Sequence, residues 1–390
     1  MTTDTDVRLT AEQERAVQAV QAWRQRPDDP LFWLTGYAGT GKSTVAKFAA
    51  DGGTVAFLAP TGKAASVLRR KGAPLASTIH RVLYTPKQRS SSTLQQLTSM
   101  LQRARGPLER AELQRKIAEE MERLKAPHWE YNEETWLKSA DLVVVDEASM
   151  VPEKVLKDLL RTTPKVLCLG DPAQLPPVKA TSPLLTRTPD FHLSQVHRHA
   201  LDSAVLRVAT YVRQHGTLPR FDDPNYHCVE LGQAGWEQFS EADQVLVYSN
   251  ATRRAVNTRF RVRLGYHAQA SIVPGDRLVV LRNSYGEGLY NGTTARVVQV
   301  RPDEMWEETY YADLLSDEGP AENVSVQLQE DSLKQDRDSV PVTYGYALTV
   351  HKAQGSEWDH VLVWAQGTSS PSWLYTAVTR ASQRLTVVTS

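Results

Sequence analysis

Short apolar runs that end in polar loops recur along the chain. In the first half they are LFWL at residues 31–34, TVAFLAP at 54–60, DLVVVDEAS at 141–149 and KVLCLGDPAQLPP at 165–177. Continuous apolar runs of this length are typical of strands buried on both faces of a parallel sheet. Polar, helix-like stretches follow them. The pattern therefore predicts an α/β fold whose ligand-binding groups gather at the carboxyl ends of the strands.

The same alternation resumes after about residue 190. It appears in DQVLVYSN at 243–250, in the run from 340 to 364, and in WLYTAVTRASQRLTVVTS at 373–390. A chain of 390 residues is also too long for one ordinary domain. We therefore predict two α/β units in tandem, the first made of residues 1–84 and 139–188 and the second of 189–282 and 341–390.

The insert in the first unit, residues 85–138, has the periodicity of helices. Apolar residues recur at helical spacing on either side of Gly106 and Pro107, which break the pattern. The insert therefore predicts a helical hairpin.

The insert in the second unit, residues 283–340, has the signals of strands. Asn291-Gly292 lies between alternating apolar residues and predicts a hairpin, and Val324 and Val326 alternate as a later strand. The acidic stretch from 303 to 322 is predicted to be a solvated loop. A small β-barrel fits these signals.

The segment GYAGTGKST at 36–44 fits the pattern GxxxxGK[ST] between a strand and a helix. In such a loop the backbone N–H groups face phosphates, the lysine reaches the β and γ phosphates, and the hydroxyl that follows binds Mg²⁺. The loop therefore predicts a nucleoside triphosphate site. Its candidate residues are Gly36, Gly39, Thr40, Gly41, Lys42, Ser43 and Thr44.

Two acids, Asp146 and Glu147, follow the next apolar run. The carboxyl ends of parallel strands meet at one edge of the sheet, so we expect both acids beside the phosphate loop. Asp146 would hold Mg²⁺ with Ser43, and Glu147 would orient a water for attack on the γ-phosphate. The pair therefore predicts hydrolysis of ATP.

Other strand ends carry groups suited to an extended phosphate chain. Thr61 and Lys63 follow one strand, and Gln174 follows another. Hydroxyl and ammonium groups of this kind contact nucleic-acid backbones. His80, in STIH, is a further candidate, although a single histidine more often has a structural role.

The second unit lacks a phosphate loop, and its distinctive residues are Arg198 in LSQVHRH and Arg380 in LYTAVTR. An arginine offered by one domain to a triphosphate held by another stabilises the charge of the transition state. It also makes closure of the two domains depend on the γ-phosphate, as in a motor. For each arginine alone, the alternative is a surface salt bridge.

Composition limits the kinds of binding partner and the cellular compartment that the protein is expected to have. The formal net charge is zero, so a nucleic-acid site must be a local patch and not a general basic field. The two cysteines, Cys168 and Cys228, form no metal-binding or disulfide pattern. Neither a secretory signal nor an 18-residue apolar stretch occurs, and we predict a cytoplasmic protein with no membrane contact.

Read in order, the motifs LTAEQ, GYAGTGKST, APTGKAA, STIH, VVVDEAS, GDPAQLPPV, LSQVHR, YALTVHKAQGSEWD and LYTAVTRA resemble those of superfamily 1 DNA helicases of the RecD/Dda type. The resemblance implies two RecA-like domains, an inserted pin domain and an inserted SH3-like barrel. It also implies an ATP- and Mg²⁺-dependent enzyme that unwinds DNA in replication, recombination or repair.

The resemblance assigns roles to individual residues. Gln13 would recognise adenine, Gln174 would sense the γ-phosphate, and Arg198 and Arg380 would be the arginine fingers, while Gly355 and Glu357 would approach the nucleotide. The residues that would lie along single-stranded DNA are Thr61, Lys63, His80, Thr349, His351 and Lys352.

The segment GDPAQLPPVKATSPL lacks the aromatics that the 3'-to-5' enzymes of the superfamily carry there, so the chain resembles the 5'-to-3' branch.

Because the first motif begins at residue 9, the chain looks like the compact Dda type. This resemblance implies a monomer in a bacterial or phage-infected cell. Its expected partners are single-stranded DNA, single-strand/duplex junctions and unidentified replication or recombination proteins.

The family pin often contains a β-hairpin, whereas this insert is predicted to be helical. Trp129 and Tyr131, in APHWEYNEETW, are the candidate wedge aromatics. Packing in a core is the alternative for both residues.

Two other functions fit parts of the sequence. A DNA-stimulated ATPase that remodels nucleoprotein without unwinding would share every motif. A small-molecule phosphotransferase would need only the phosphate loop, and it leaves the second α/β unit and its arginines unexplained.

Overall fold

A computed structural model describes most of the chain. The described ranges are 8–50, 52–87, 92–104, 106–125, 128–176, 182–196, 202–266, 271–303, 308–316, 318–329, 339–366 and 369–389.

The first α/β unit is built on a six-stranded parallel sheet in the order β3-β2-β6-β7-β1-β8. Its strands are β1 (Leu31–Gly36), β2 (Val55–Ala59), β3 (Ser77–Thr78), β6 (Leu142–Val145), β7 (Val166–Gly170) and β8 (Phe191–Leu193). Strands β1, β6 and β7 are buried along their whole length, as the continuous apolar runs predicted. The helices are α1 (Ala11–Arg24), α2 (Lys42–Ala49), α3 (Gly62–Arg70) and α7 (Glu153–Thr162).

The second α/β unit is built on a five-stranded parallel sheet in the order β16-β10-β17-β18-β9. Its strands are β9 (Tyr226–Glu230), β10 (Gln244–Val247), β16 (Ala347–Thr349), β17 (Trp358–Ala365) and β18 (Ala381–Thr389). The helices are α8 (Ala204–His215), α9 (Trp236–Glu241), α10 (Asn250–Arg263) and α11 (Pro371–Val378).

A closed five-stranded barrel interrupts the second unit. Its strands are β11 (Arg277–Val280), β12 (Thr294–Pro302), β13 (Thr309–Ser316), β14 (Gly319–Leu328) and β15 (Val340–Tyr344). Strand β11 precedes the predicted insert 283–340, and β15 continues past it. The division of the chain into domains stays a prediction.

Two details of the predicted barrel need correction. The acidic stretch 303–322 is not one solvated loop, because it contains β13 and the start of β14. Tyr310, Ala312 and Leu314 alternate towards the barrel interior, and Tyr311 and Asp313 between them are partly exposed. Asn291-Gly292 does turn the chain, but within the long connection 281–293 and not in a two-residue hairpin.

Residues His80–Lys138 form a compact unit of their own. Its elements are α4 (Ile79–Leu83), β4 (Tyr84–Lys87), α5 (Ser92–Arg103), α6 (Pro107–Lys125) and β5 (His128–Tyr131). The predicted pair of helices is confirmed. The two-stranded antiparallel ribbon of β4 and β5 was not predicted; it puts Trp129 opposite Pro86 and Tyr131 opposite Tyr84.

The ribbon leaves Trp129 at the surface of its unit. This tryptophan is 36% exposed, so the core alternative is wrong for it. Tyr131 is half-buried.

Within the described part of the chain, no helix is long and apolar enough to cross a membrane. Cys168 and Cys228 are both free thiols.

A buried ion pair joins α10 to the base of the barrel. Arg261 Nε lies 3.2 Å from Asp276 Oδ1, and the two side chains are 1% and 0% exposed. Asp276 also accepts hydrogen bonds from the Tyr346 hydroxyl (2.9 Å) and the Val273 amide (3.0 Å). The carboxylate is thus the centre of the polar contacts at this junction.

We expect Asp276→Asn to lower the free energy of unfolding by about 3 to 5 kcal/mol, because it leaves the Arg261 charge buried without its anion. Urea denaturation measures the loss. The matched control is Glu153→Gln, which removes an exposed ion pair with Lys157 and should leave the free energy of unfolding almost unchanged. A loss below 1 kcal/mol for Asp276→Asn would contradict the prediction.

Candidate nucleotide site

The phosphate loop connects β1 to α2. Gly39 and Gly41 have φ of 77° and 79°, a left-handed conformation that glycine adopts without strain, and Gly41 is the N-cap of α2. Ser43 and Thr44 lie half-buried in the first turn of the helix. The predicted loop residues are therefore assembled at one helix N-terminus, where N–H groups and the helix dipole favour anions.

Lys42 lies over this loop. Its ammonium donates to the carbonyl oxygens of Gly36 (2.7 Å) and Tyr37 (3.1 Å). The Thr40 hydroxyl donates to the same Tyr37 carbonyl at 2.9 Å. The cation is thereby held at the mouth of the loop.

Gln13 supports the loop from α1. Its side-chain nitrogen donates to the Thr40 carbonyl (3.0 Å), and its side-chain oxygen accepts from the Thr10 amide (3.0 Å) in a capping box. The residue is 1% exposed. The contact with adenine that the resemblance implied for Gln13 stays a prediction; in the structure its amide holds the loop backbone.

Asp146 and Glu147 follow β6 directly. Asp146 Oδ1 accepts the Glu147 amide at 2.9 Å, and Glu147 has a left-handed φ of 51°. Burial raises the pKa of both carboxyl groups, while Lys42 opposes the rise at Asp146 and Arg380 opposes it at Glu147. A raised pKa suits a group that has to accept a proton from water.

Asp171 and Gln174 lie beyond β7, the neighbour of β1 in the sheet. Asp171 is 2% exposed; its Oδ1 accepts the Ala173 amide (3.0 Å), and its carbonyl accepts the Gln174 amide (3.3 Å). Gln174 is half-buried on this turn. The phosphate loop, the acid pair and the Gln174 turn thus end three adjacent strands.

Arg380 belongs to the second α/β unit, where it directly precedes β18. Its guanidinium donates to the carbonyls of Thr376 (3.1 Å) and Ser356 (3.2 Å) and to the Thr379 hydroxyl (3.2 Å). Its charge favours ionised Glu147. The finger role of this arginine stays a prediction.

The other predicted finger, Arg198, lies outside the described residues. The segment before it is anchored by Glu12 of α1, whose carboxylate accepts the Ser194 hydroxyl (2.8 Å) and the Gln195 amide (2.9 Å). Burial favours a higher pKa for Glu12, but these hydrogen bonds outweigh it and lower the pKa.

Gly355 and Glu357 lie along α3. Gly355 has φ of 75°, and a Cβ at this position would be 3.1 Å from the Ala64 Cβ. The Glu357 carboxylate pairs with Lys71 Nζ at 3.1 Å. The predicted approach of these two residues to the nucleotide stays a prediction.

The residues predicted to contact a nucleic acid differ in exposure. The Thr61 hydroxyl caps α3 by accepting the Ala64 amide at 3.2 Å, and it lies 3.4 Å from the position of a Cβ at Gly355. Lys63 is only 2% exposed. The start of α3 and the loop after β16 are therefore neighbours, but Lys63 does not present its charge at the surface.

Thr349, His351 and Lys352 form a turn at the end of β16, where the Thr349 carbonyl accepts the Lys352 amide at 2.9 Å. Burial lowers the pKa of His351; burial and the nearby Arg253 lower the pKa of Lys352 to about 8. His80 belongs to the separate His80–Lys138 unit, where burial lowers its pKa too.

Two residues at the site were not singled out from the sequence. Tyr375, inside the LYTAVTR motif, hydrogen-bonds both the Ala38 amide and Asp171. Arg213 of α8 places its guanidinium carbon 3.7 Å from the centre of the Tyr37 ring. The motif pointed to the neighbourhood of Tyr375, but no local pattern marks Arg213.

The donor set for Mg²⁺ is small. Among the described residues, no group of three or more His, Cys, Asp or Glu side chains could hold a metal. Mg²⁺ in nucleotide sites takes one or two protein ligands and completes its shell with phosphates and water. A hydroxyl from Ser43 and a carboxylate from Asp146 fit that requirement.

Two known families match parts of the chain. Residues 8–222, more than half of the chain, match the AAA domain family. The chain belongs to this family. Within this AAA domain protein, residues 344–388 match the UvrD-like helicase C-terminal domain, which covers β16 to α11 and most of β18.

One curated relative is the ATP-dependent RecD2 DNA helicase of Deinococcus radiodurans. It is 30% identical over 392 aligned residues, which cover 91% of this chain and 46% of the relative. The chain thus spans less than half the length of that protein. The predicted resemblance to RecD-type helicases is confirmed.

Solved structures share the fold. Pif1 helicases studied for DNA unwinding at forked duplex DNA match with a TM-score of 0.54 and 19% identity, covering 98% of this chain and 92% of that one. The Pif1 helicase of Candida albicans matches with a TM-score of 0.53 and 18% identity, covering 98% and 94%. The predicted fold of two parallel-sheet units with an inserted barrel is confirmed.

We expect Lys42→Ala to weaken binding of a fluorescent ATP analogue at least tenfold, because the loop loses its phosphate-facing charge (about 1.5 to 3 kcal/mol for a charged hydrogen bond). Lys47→Ala is the control, since Lys47 is an exposed lysine on the same helix. Equal affinities for the two variants would rule out the assigned loop.

Proposed function

We propose that this protein is an ATP-driven motor that moves 5'-to-3' along single-stranded DNA and unwinds duplex DNA. The observation that carries the proposal is that the second α/β unit reaches the phosphate loop of the first: the Tyr375 hydroxyl accepts the Ala38 amide at 2.9 Å, and the charge of Arg380 favours ionised Glu147. A site built from two sheets changes when ATP is bound and split, and that change can do mechanical work. The name of the RecD2 relative supports DNA as the track.

In this proposal the loop amides and Lys42 bind the phosphates, and Glu147 orients the attacking water and accepts its proton. Gln174 contacts the γ-phosphate, and Arg198 and Arg380 stabilise the negative charge that develops on it. When bound by Ser43 and Asp146, Mg²⁺ would neutralise charge on the β and γ phosphates.

The proposed DNA track runs over the loops that follow β2 and β16. Thr61 and Gly355 are already in close approach, so these loops of the two sheets meet. Thr349, His351 and Lys352 would bind the backbone on one side, and Thr61 and Lys63 on the other. The buried position of Lys63 means that its ammonium reaches a phosphate only if the packing around α3 changes.

Strand separation would require a surface that the excluded strand cannot pass. Trp129 supports such a role, because it is exposed on a short antiparallel ribbon. An aromatic stacked on a base contributes about 1 to 3 kcal/mol. We further propose that the protein acts as a monomer in the cytoplasm of a bacterial or phage-infected cell, with replication or recombination proteins as partners.

Affinity for single-stranded DNA should depend on pH through Lys352. Its pKa is lowered to about 8, so the charged form that binds phosphate is lost as pH rises through that value. Between pH 7 and 9 we expect affinity to fall by up to about tenfold. Lys352→Arg should remove most of this dependence, because arginine stays charged.

Fluorescence anisotropy of a labelled oligonucleotide at several pH values measures this effect. The general pH dependence is taken from Lys47→Ala, which changes a lysine away from the proposed track. If wild type and Lys352→Arg respond to pH alike, Lys352 does not bind the DNA backbone.

Duplexes with either a 5' or a 3' single-stranded tail test the motor itself. We expect efficient unwinding from the 5' tail, and Trp129→Ala with Tyr131→Ala should reduce it at least about fivefold with little change in DNA-stimulated ATPase. Trp136→Ala, a second exposed tryptophan of the same unit, is the control.

Three outcomes separate the alternatives. Unwinding only from a 3' tail would contradict the polarity. DNA-stimulated ATPase without unwinding would favour a translocase that remodels nucleoprotein. ATPase that does not respond to DNA would favour a phosphotransferase.

A further inference from the structure

The hydroxyl group of Tyr375, on a helix of the second α/β unit, connects two loops of the first unit. Tyr375 on α11 accepts a hydrogen bond from the Ala38 amide at 2.9 Å and donates one to Asp171 Oδ2 at 2.7 Å. We infer that Tyr375 is a positioning residue for ATP hydrolysis, which holds the phosphate loop and the Gln174 turn in the register that the reaction requires. This inference rests on the proposed ATPase activity.

The Tyr375 hydroxyl is buried, and its orientation is fixed by its two partners. The side chain is 2% exposed. A phenol has one proton to donate, and here the proton is directed to a carboxylate, which makes a strong, charge-assisted bond. Burial and the adjacent Asp171 raise the pKa of Tyr375, so the hydroxyl keeps its proton at any working pH.

On one side, the hydroxyl acts through Asp171 on Gln174. The Asp171 carboxylate uses Oδ2 for Tyr375 and Oδ1 for the Ala173 amide, and its carbonyl accepts the Gln174 amide. The turn that carries Gln174 is therefore built around the residue that Tyr375 binds.

Helix α11 holds the same turn through a second residue. The Thr376 hydroxyl accepts the Leu175 amide at 2.8 Å, and Gln354 donates to the Leu175 carbonyl at 2.8 Å. The Thr376 carbonyl in turn accepts Arg380 Nε at 3.1 Å. A shift of Tyr375 would thus change the positions of both the Gln174 turn and Arg380.

On the other side, the hydroxyl acts on the phosphate loop. Ala38 lies four residues before Lys42, and the preceding residue, Tyr37, is covered by the guanidinium of Arg213. The Tyr37 carbonyl also accepts the Lys42 ammonium. Tyr375 and Arg213, two residues on helices of the second α/β unit, therefore contact two consecutive residues of the loop that contains Lys42.

The size of the expected effect follows from the geometry that hydrolysis needs. A misplacement of about 1 Å between reacting groups lowers rates by up to about a hundredfold. Loss of one of several contacts should allow a smaller shift, and we expect about a tenfold loss of kcat. The KM for ATP should change less than about twofold, because Lys42 and the loop amides still bind the phosphates.

Tyr375→Phe tests this inference, because it removes the hydroxyl and keeps the ring. The matched control is Tyr226→Phe in β9 of the same sheet. Tyr226 is also 2% exposed, and its hydroxyl donates to the Pro219 carbonyl at 2.9 Å, away from the nucleotide site. We expect the control to keep wild-type kcat and KM. Thermal unfolding of both variants measures the stability cost of losing one buried hydroxyl.

A double-mutant cycle with Asp171→Asn tests the route of the effect. If Tyr375 acts through Asp171, the tyrosine change should cost less than about twofold in kcat when Asp171 is already Asn. A full tenfold cost in that background would overturn the inference. So would wild-type kcat in Tyr375→Phe, or an equal loss of kcat in Tyr226→Phe.

These outcomes are separate from failure of the proposed function. If single-stranded DNA does not stimulate the wild-type ATPase, the motor proposal fails, and the same comparison of variants is made on basal turnover. If DNA stimulates the wild type and Tyr375→Phe keeps its kcat, only the role of Tyr375 is wrong.

Discussion

Parallel pairing of strands is the constraint on which the rest of this structure depends. In a parallel sheet every strand ends at the same edge, so loops that are far apart in sequence become neighbours. Strands β6, β7 and β1 are adjacent, and they end at the Asp146-Glu147 pair, the Asp171–Gln174 turn and the phosphate loop. Three chemically different loops thus meet without any contact being specified in the local sequence.

The second sheet is also parallel, but its unit contributes different side chains to the site. It supplies no phosphate loop, but helix α11 carries Tyr375, Thr376 and, just after its end, Arg380. Tyr375 contacts Asp171 and Thr376 contacts Leu175 in the first unit, and the charge of Arg380 acts on Glu147. One short helix is therefore the element through which the second sheet meets the nucleotide site.

The local patterns predicted the parts of the site that depend on short-range geometry. The glycines at 39 and 41 have the positive φ that a phosphate loop requires, and the apolar runs are buried strands. The Tyr375–Ala38 and Tyr375–Asp171 contacts span 337 and 204 residues, so no local periodicity could reveal them. Strand β13 was missed because Asp313 and the acids that flank the strand in the sequence masked the alternation of Tyr310, Ala312 and Leu314.

The two cysteines differ in a way that makes the protein useful for single-molecule work. Cys168 lies in the centre of the first sheet, fully buried, and burial raises the pKa of its thiol. Cys228 is exposed on β9, at the edge of the second sheet. A thiol-reactive fluorophore or surface tether should therefore attach at one place, on the second sheet, without prior removal of the other cysteine.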